Sequence, residues 1–431
     1  MSEDPDGRPL YRPGFVFGYY SGPSDRLASI FERHRERYYN WIIKSADQRD
    51  QARISDPNSL RRLFYAQTLH GQFALIAFFM KAAGGALEDR DFLRNHLQID
   101  GLDSVLFALK RPPWKRQGGD PRFWNAVGEV QDFLSKLYDK AMLPIRMDRR
   151  ISVDLTKNPI VECLYLFLPK PEALEQVYAS YDDQYAFFTA LESTHLSKLL
   201  GEVRTRVRMS GGGEVTYRDL SEGEQQLLLV LGLLKFTARE EALFLLDEPD
   251  THLNPNWSTQ YLAFLDRFIR GRDSCHVIMS SHDPLVFAGL TRDQVRIFRR
   301  DPEGWAVAEL PDDDPRGMGV AAILTSDLFR LRTTLDLETQ AELDRQRLLA
   351  MKEPLTPEEE SELRDLNMRT RTLGLDQTIR DPLYEQFVKA WTQQQDPAWA
   401  KSAQLTPAQR DERARLAARI VKQLEQPSEN H

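Results

Sequence analysis

The chain has 431 residues, 41% of them apolar and 28% charged, with a net charge of −8. This length allows two or three domains with an ample core, and the ordinary apolar share excludes a disordered or fibrous protein. Two cysteines, Cys163 and Cys275, exclude a disulfide framework; no apolar stretch approaches the roughly 20 residues of a membrane span, and the acidic start, Met1 to Asp6, does not look like a signal peptide, so a cytoplasmic protein is expected.

In chain order, Gly14–Tyr20 reads as a strand and Asp25–Ile43 as a helix rich in Arg and Tyr. Arg62–Met80 holds an apolar helix, Val105–Leu109 a strand and Pro112–Pro121 a loop. Phe123–Lys140 reads as a helix, Cys163–Leu168 as a buried strand and Tyr185–Leu200 as a helix. Val203–Met209 alternates with period two and is expected as a half-buried strand. Ser210 to Gly213 is a hairpin-like turn; no Lys follows it, so it is not a phosphate loop. Gln225–Phe236 is apolar nearly all round, as in a buried helix. Leu243–Leu246 and His276–Met279 read as strands, with further ones at Val295–Arg299 and Trp305–Glu309.

After Pro311 the character changes. Asp312 to Pro315 is an acidic break, read as a linker, and from Leu335 onward the chain is highly charged and helical. Thr356-Pro357 and Thr406-Pro407 each combine a capping box with Pro at the first helical position. Thr339–Leu349 suits an exposed helical hairpin or a short coiled coil.

Three segments carry chemistry. Leu243–Leu246 ends in two acids, Asp247 and Glu248, at the expected carboxyl end of a parallel strand, where open α/β sheets place their ligands. Asp247 suits a Mg²⁺ shell, because that ion takes one or two carboxylates together with substrate phosphates. Glu248 suits a base that positions or deprotonates an attacking water. Ser221-Glu222-Gly223-Glu224 fits a capping box, and the same geometry turns backbone N–H groups and a positive helix end outward as an anion site, where Gly223 would let a phosphate approach closely. His282 lies 34 positions after Glu248, following the second strand, and is a candidate sensor of a terminal phosphate.

Two basic clusters, Lys110–Arg116 and Arg146–Arg150, stand out against the negative balance. The first, with Trp114, Phe123 and Trp124 nearby, would suit a nucleic-acid backbone with stacking aromatics. A solvated loop beside a hydrophobic anchor is the preferred reading, since net charge −8 argues against a uniformly basic surface.

The chain resembles the C-terminal part of an ABC-like AAA-family ATPase, of the group that includes SMC, RecF and OLD-type proteins and defence- or restriction-associated ATPases. Leu220–Gln226 resembles the signature motif, Leu243–Glu248 Walker B, and Ser281–His282 the switch. Asn254 falls at the D-loop position, where transporters usually have Asp. Phe15–Leu27 is similar to a segment that follows the Walker A half in this group. No G-x-x-x-x-G-K-[ST] occurs in the 431 residues.

The resemblance implies an α/β P-loop NTPase of ABC type, incomplete, with the first strand and the phosphate loop absent, a helical lobe and a helical C-terminal extension. Residues 1–200 would be the remainder of the N-terminal part, 201–310 the signature, Walker B and switch core, and 311–431 the charged extension. The missing half would lie on about 100–200 residues upstream or on another chain. ATP and Mg²⁺ are the implied cofactors, with Asp247 on the metal, Glu248 and His282 catalytic, and Ser221, Glu222, Gly223, Gln225 and Asn254 around the nucleotide. The implied partner is a second copy or a paralogous ATPase subunit, with an effector nuclease on a separate chain. The expected function is a nucleotide-driven dimerisation switch that hydrolyses ATP, in defence or DNA-associated processes. The alternatives are a non-hydrolysing partner that lends its signature to another subunit, and a decayed fragment with an exposed apolar sheet edge.

Overall fold

The computed structural model describes residues 13–22, 27–42, 44, 62–80, 86–115, 117–150, 158–237, 241–269, 274–352, 354–373 and 406–425, with isolated positions between 387 and 394. Pro23–Arg26 of the segment at Phe15–Leu27, and Arg116 of the first basic cluster, lie outside these. The chain divides into two compact units, residues 1–286 and 287–431.

The first unit contains a parallel sheet and an antiparallel one. Strands β1 (Phe15–Tyr20), β2 (Leu63–Tyr65), β8 (Ala242–Asp247) and β9 (His276–Ser280) form the parallel sheet, in the order β2-β1-β8-β9. Between them in sequence, β3 (Ile99–Lys110), β4 (Ile145–Arg150), β5 (Ile160–Leu168), β6 (Leu200–Met209) and β7 (Glu214–Thr216) form the antiparallel sheet, in the order β4-β5-β3-β6-β7. Its helices are α1 (Ala28–Ile42), α2 (Thr68–Phe79), α3 (Ala86–Leu97), α4 (Gly128–Lys140), α5 (Pro171–Tyr178), α6 (Gln184–Leu196), α7 (Glu222–Thr237) and α8 (Pro255–Ile269). Strand crossovers through helices are what a parallel sheet requires, so the apolar runs at 15–20 and 242–247 become neighbours despite their separation in sequence.

The core explains which sequence patterns became which elements. Every residue of α2 from His70 to Phe79 is buried, and α7 is buried from Gln226 to Leu234. An all-round apolar helix must lie inside the fold, and these two pack on each other. The contact is close enough to need Gly232: a Cβ there would lie 2.4 Å from Ala74 Cβ. On the parallel sheet Phe17 is fully buried, with ring centroids 5.6 Å from both Phe64 and Phe244, one on each flanking strand. Burying such a ring is worth about 2–3 kcal/mol. Buried residues from Phe15 to Leu200 and from Val203 to Phe268 therefore belong to one continuous core.

Several strands of the first unit run longer than their apolar cores suggest, whereas β10 and β11 start later than expected. Pairing with β5 and β6 extends β3 to twelve residues, and β4 forms within the basic cluster Arg146–Arg150, where composition gave no strand signal. The helix expected from Phe123 begins only at Gly128, because Trp124 and Asn125 sit at φ 52° and 67°, which ends the short turn at Phe123.

In the second unit β10 (Ile297–Arg300) and β11 (Ala306–Glu309) form an antiparallel pair, followed by α9 (Val320–Thr325), α10 (Leu337–Ala350), α11 (Pro357–Thr372) and α12 (Pro407–Glu425). Helices α10 and α11 form the expected charged hairpin, joined by Arg345–Glu362 at 2.7 Å and Arg369–Glu342 at 2.8 Å. The acidic break is packed rather than merely solvated: the Asp312 N–H donates to Asp327, its carboxylate holds Arg410, and Asp314 accepts from the Arg292 N–H. Among the described residues no helix is long and apolar enough to cross a membrane.

Candidate functional site

The parallel register assembles the site. Asp247 ends β8 beside Tyr20 of β1 and Ser280 of β9, so three strand carboxyl ends meet at one level. Ser280 donates its hydroxyl to Asp247 Oδ1. The Glu248 N–H is shared between the Ser280 carbonyl at 3.1 Å and its hydroxyl at 3.2 Å. Glu248 itself leaves the strand at φ 51°, in the left-handed region that costs a non-glycine residue on the order of 1 kcal/mol or more. With the backbone so turned, the Glu248 carboxylate meets His282 Nε2 at 3.1 Å. His282 is largely exposed and Glu248 about one-third exposed, so the pair adds little stability and remains open to solvent.

A second tier holds this turn. Thr251 donates its hydroxyl to the Glu248 carbonyl at 2.9 Å and shares a hydrogen bond with Ser21 at 3.1 Å. Gln226, buried in the first turns of α7, reaches the Glu248 carbonyl at 3.4 Å and the Tyr19 hydroxyl at 3.2 Å, and accepts from the His252 N–H at 3.0 Å. Asp250 is buried and accepts from the Ser281 hydroxyl; burial pushes its carboxyl above the ordinary range. Sequence reading passed over Ser280, Thr251, Asp250 and the bridging role of Gln226. A buried Gln on the apolar face of α7 was the available signal.

The Ser221 segment is the predicted capping box. The Ser221 N–H and hydroxyl donate to Glu224 at 2.7 and 2.8 Å, and the Glu224 N–H returns to the Ser221 hydroxyl at 3.3 Å. Gln225 donates to the Leu220 carbonyl at 2.7 Å, and Glu222 pairs with His252 at 3.3 Å. Gly223 has a further reason to be glycine besides the one expected from sequence. A Cβ there would lie 2.5 Å from the His252 carbonyl oxygen, so the α7 start is pressed against the loop that follows Glu248. Gly223→Ala is therefore expected to destabilise the unit by about 1–3 kcal/mol, read as a lowered urea midpoint; an unchanged midpoint would show that this loop yields freely. Asn254 caps α8, accepting from the Trp257 N–H at 3.0 Å.

Asp247, Glu248 and His282 thus form one constellation. Ser221, Glu222, Gly223, Gln225 and Asn254 form a second along the α7 start and the 252–254 turn, tied to the first through Gln226 and His252. Asp247, with the hydroxyls of Ser280 and, one residue beyond β1, Ser21, offers hard oxygen donors that fit Mg²⁺. Among the described residues no group of three or more His, Cys, Asp and Glu is placed to hold a metal ion. The aromatics of the first basic cluster serve as anchors. Trp114 donates to the Ser197 carbonyl at 2.7 Å, Phe123 is fully buried, and Trp124 donates to Glu162 at 2.6 Å.

Residues 120–288 match the sequence family described as "AAA domain, putative AbiEii toxin, Type IV TA system". The Septu protein PtuA of Bacillus mycoides (strain KBAB4) is similar over 126 residues at 28% identity, 27% of this chain and 17% of that protein. The chain thus spans about a sixth of the length of the curated relative it matches. Residues 120–288 are thus similar to an AAA domain, and the mixed α/β fold with its parallel sheet is consistent with a P-loop NTPase-like AAA fold.

Proposed function

We propose that the chain is one half of an ATP-driven dimerisation switch, in which Asp247 holds Mg²⁺, Glu248 activates water and His282 senses the γ-phosphate. The observation that carries this reading is the meeting of Asp247, Glu248 and His282 at the carboxyl ends of the adjacent parallel strands β8 and β9. When bound, Mg²⁺ would supply charge neutralisation to the transferring phosphoryl group. The strained φ at Glu248 and the Gln226–Thr251 clamp on its carbonyl orient the carboxylate, while the Glu248–His282 contact couples the base to the phosphate sensor. Ser221, Glu222, Gly223, Gln225 and Asn254 would face the nucleotide of a second subunit, so that ATP joins the two and its hydrolysis releases them. A defence role accords with the family description, which names a putative toxin of a Type IV TA system, and with the similarity to a Septu protein; an effector such as a nuclease on another chain would complete it.

Because the sequence holds no phosphate loop, the chain alone is expected to bind MgATP with a Kd weaker than about 1 mM by calorimetry. The test is to supply a G-x-x-x-x-G-K-[ST] segment, fused upstream from the genomic sequence or co-expressed from a neighbouring frame. ATP-dependent dimerisation is then followed by light scattering. A dimer that forms only with ATP and the loop present supports the switch; no nucleotide-dependent change in mass under those conditions refutes it.

A further inference from the structure

We infer that the outer face of the antiparallel sheet is a platform for single-stranded nucleic acid, lying on elements apart from the ATPase constellation. Cross-strand register defines that face. Met147, Cys163 and Lys110 form one row across β4, β5 and β3; Ile145, Tyr165 and Ala108 form the next; Phe167, Leu106 and Arg204 form a third running into β6. Arg206 follows beside Ser104 and Thr216, and Arg149 flanks the first row opposite Val161. Opposed residues in an antiparallel pair share a face, so these side chains project together.

Two properties of the face point to the occupant. It is apolar and open where a sheet surface is usually polar: Ile145 is 47% exposed, Met147 50% and Phe167 39%, with Tyr165 half-buried between them. It is also basic in a chain of net charge −8: among the described residues Lys110, Arg149, Arg204 and Arg206 lie on it, with Arg218 beside Glu202, and the ion pairs there are those of Glu202 and Glu214 with Arg204, Arg206 and Arg218. Glu202 is shared by two of the arginines, Arg204 at 3.0 Å and Arg218 at 2.9 Å. Arg149 donates to the Tyr165 hydroxyl at 3.3 Å and so stands directly beside an aromatic ring.

Exposed aromatic and apolar side chains flanked by cations on a β-sheet are the elements that single-stranded polynucleotides require. Bases stack on the rings while arginines neutralise the phosphates, and unpaired bases are the ones free to stack. A duplex would present its phosphates but keep its bases from Tyr165 and Phe167. The chemistry therefore favours single strands over duplex, with little dependence on sequence.

The experiment is fluorescence anisotropy of the full chain with a labelled 20-residue oligo-dT, and with a duplex of the same length, at 50 and 200 mM salt. Single-strand binding that weakens with salt is expected, with at least about tenfold loss in Arg149→Glu/Arg204→Glu and in Tyr165→Ala/Phe167→Ala. Thermal midpoints near that of the unaltered chain establish that the variants are folded. Three results would each overturn the assignment: no binding at 50 mM salt, variants that bind as the parent does, or duplex bound as tightly as single strands. Because no residue of the ATPase constellation is altered, failure here leaves the proposed switch standing, and failure of the switch leaves this platform intact.

Discussion

Once a phosphate loop is supplied, Glu248→Gln is expected to lower ATP turnover by about 10²–10⁴-fold and to leave a long-lived ATP-bound dimer. The amide nearly matches the carboxylate in shape, so the turn at φ 51° and the hydrogen bonds of Gln226 and Thr251 to the residue 248 carbonyl should persist. What disappears is the basic oxygen that would orient the water, together with the charged partner of His282 at 3.1 Å. Binding is then retained while the chemical step is lost, the condition under which nucleotide locks two subunits together. Single-turnover hydrolysis with light scattering reads both effects in one sample. An unaltered rate in this variant would remove Glu248 from the catalytic role.

The second large effect is on stability. His195 on α6 is mostly buried, its Nε2 3.2 Å from Gln67 Oε1, an oxygen that also accepts from Arg35 at 3.1 Å. Its Nδ1 is buried with no hydrogen-bond partner. Burial first, then the charges of Arg35, Lys198 and Lys110, push its pKa down to about 4. In the unfolded chain an ordinary imidazole titrates near 6.5. Between these values the unfolded state binds the extra proton. The stability associated with neutral His195 is therefore complete above about pH 6.5 and is lost as the pH falls toward about 4. The full loss is on the order of 3 kcal/mol. Asp250 acts with the opposite sign, because its raised pKa favours the folded state at low pH and that contribution fades as the pH rises. The two are separated by comparing urea midpoints of the parent and His195→Gln at pH 7.5, 6.0 and 5.0. The variant should lose most of the slope over this range; an identical slope would place the acid sensitivity elsewhere.

The local elements that place the acid pair and the capping box were legible because their signals are local. An apolar run of four residues ending in two acids reads as a strand meeting solvent, and Ser221 with Glu224 closes a capping box within four residues. The place of His282 just after a strand was legible for the same reason, since it follows a short β-like run. What sequence could not show was why Gly223 is pressed so closely, since the group it meets is the His252 carbonyl. Nor could it show the platform on β3 to β6. Arg149, Tyr165, Leu106 and Arg204 come from four separate stretches, and β4 reads as a basic cluster rather than a strand.

By itself the sequence determined the order of the apolar strands and helices and the positions of the acid pair and the capping box, because each is written in contiguous residues and their periodicity. The tertiary structure decided the rest. It turned Glu248 to φ 51° toward His282, buried Gln226 as the clamp between α7 and the site, and aligned Asp247 with Ser280. Those outcomes depend on strand register and close packing between segments tens to hundreds of residues apart, where a shift of one residue would turn each strand's side chains to the opposite face.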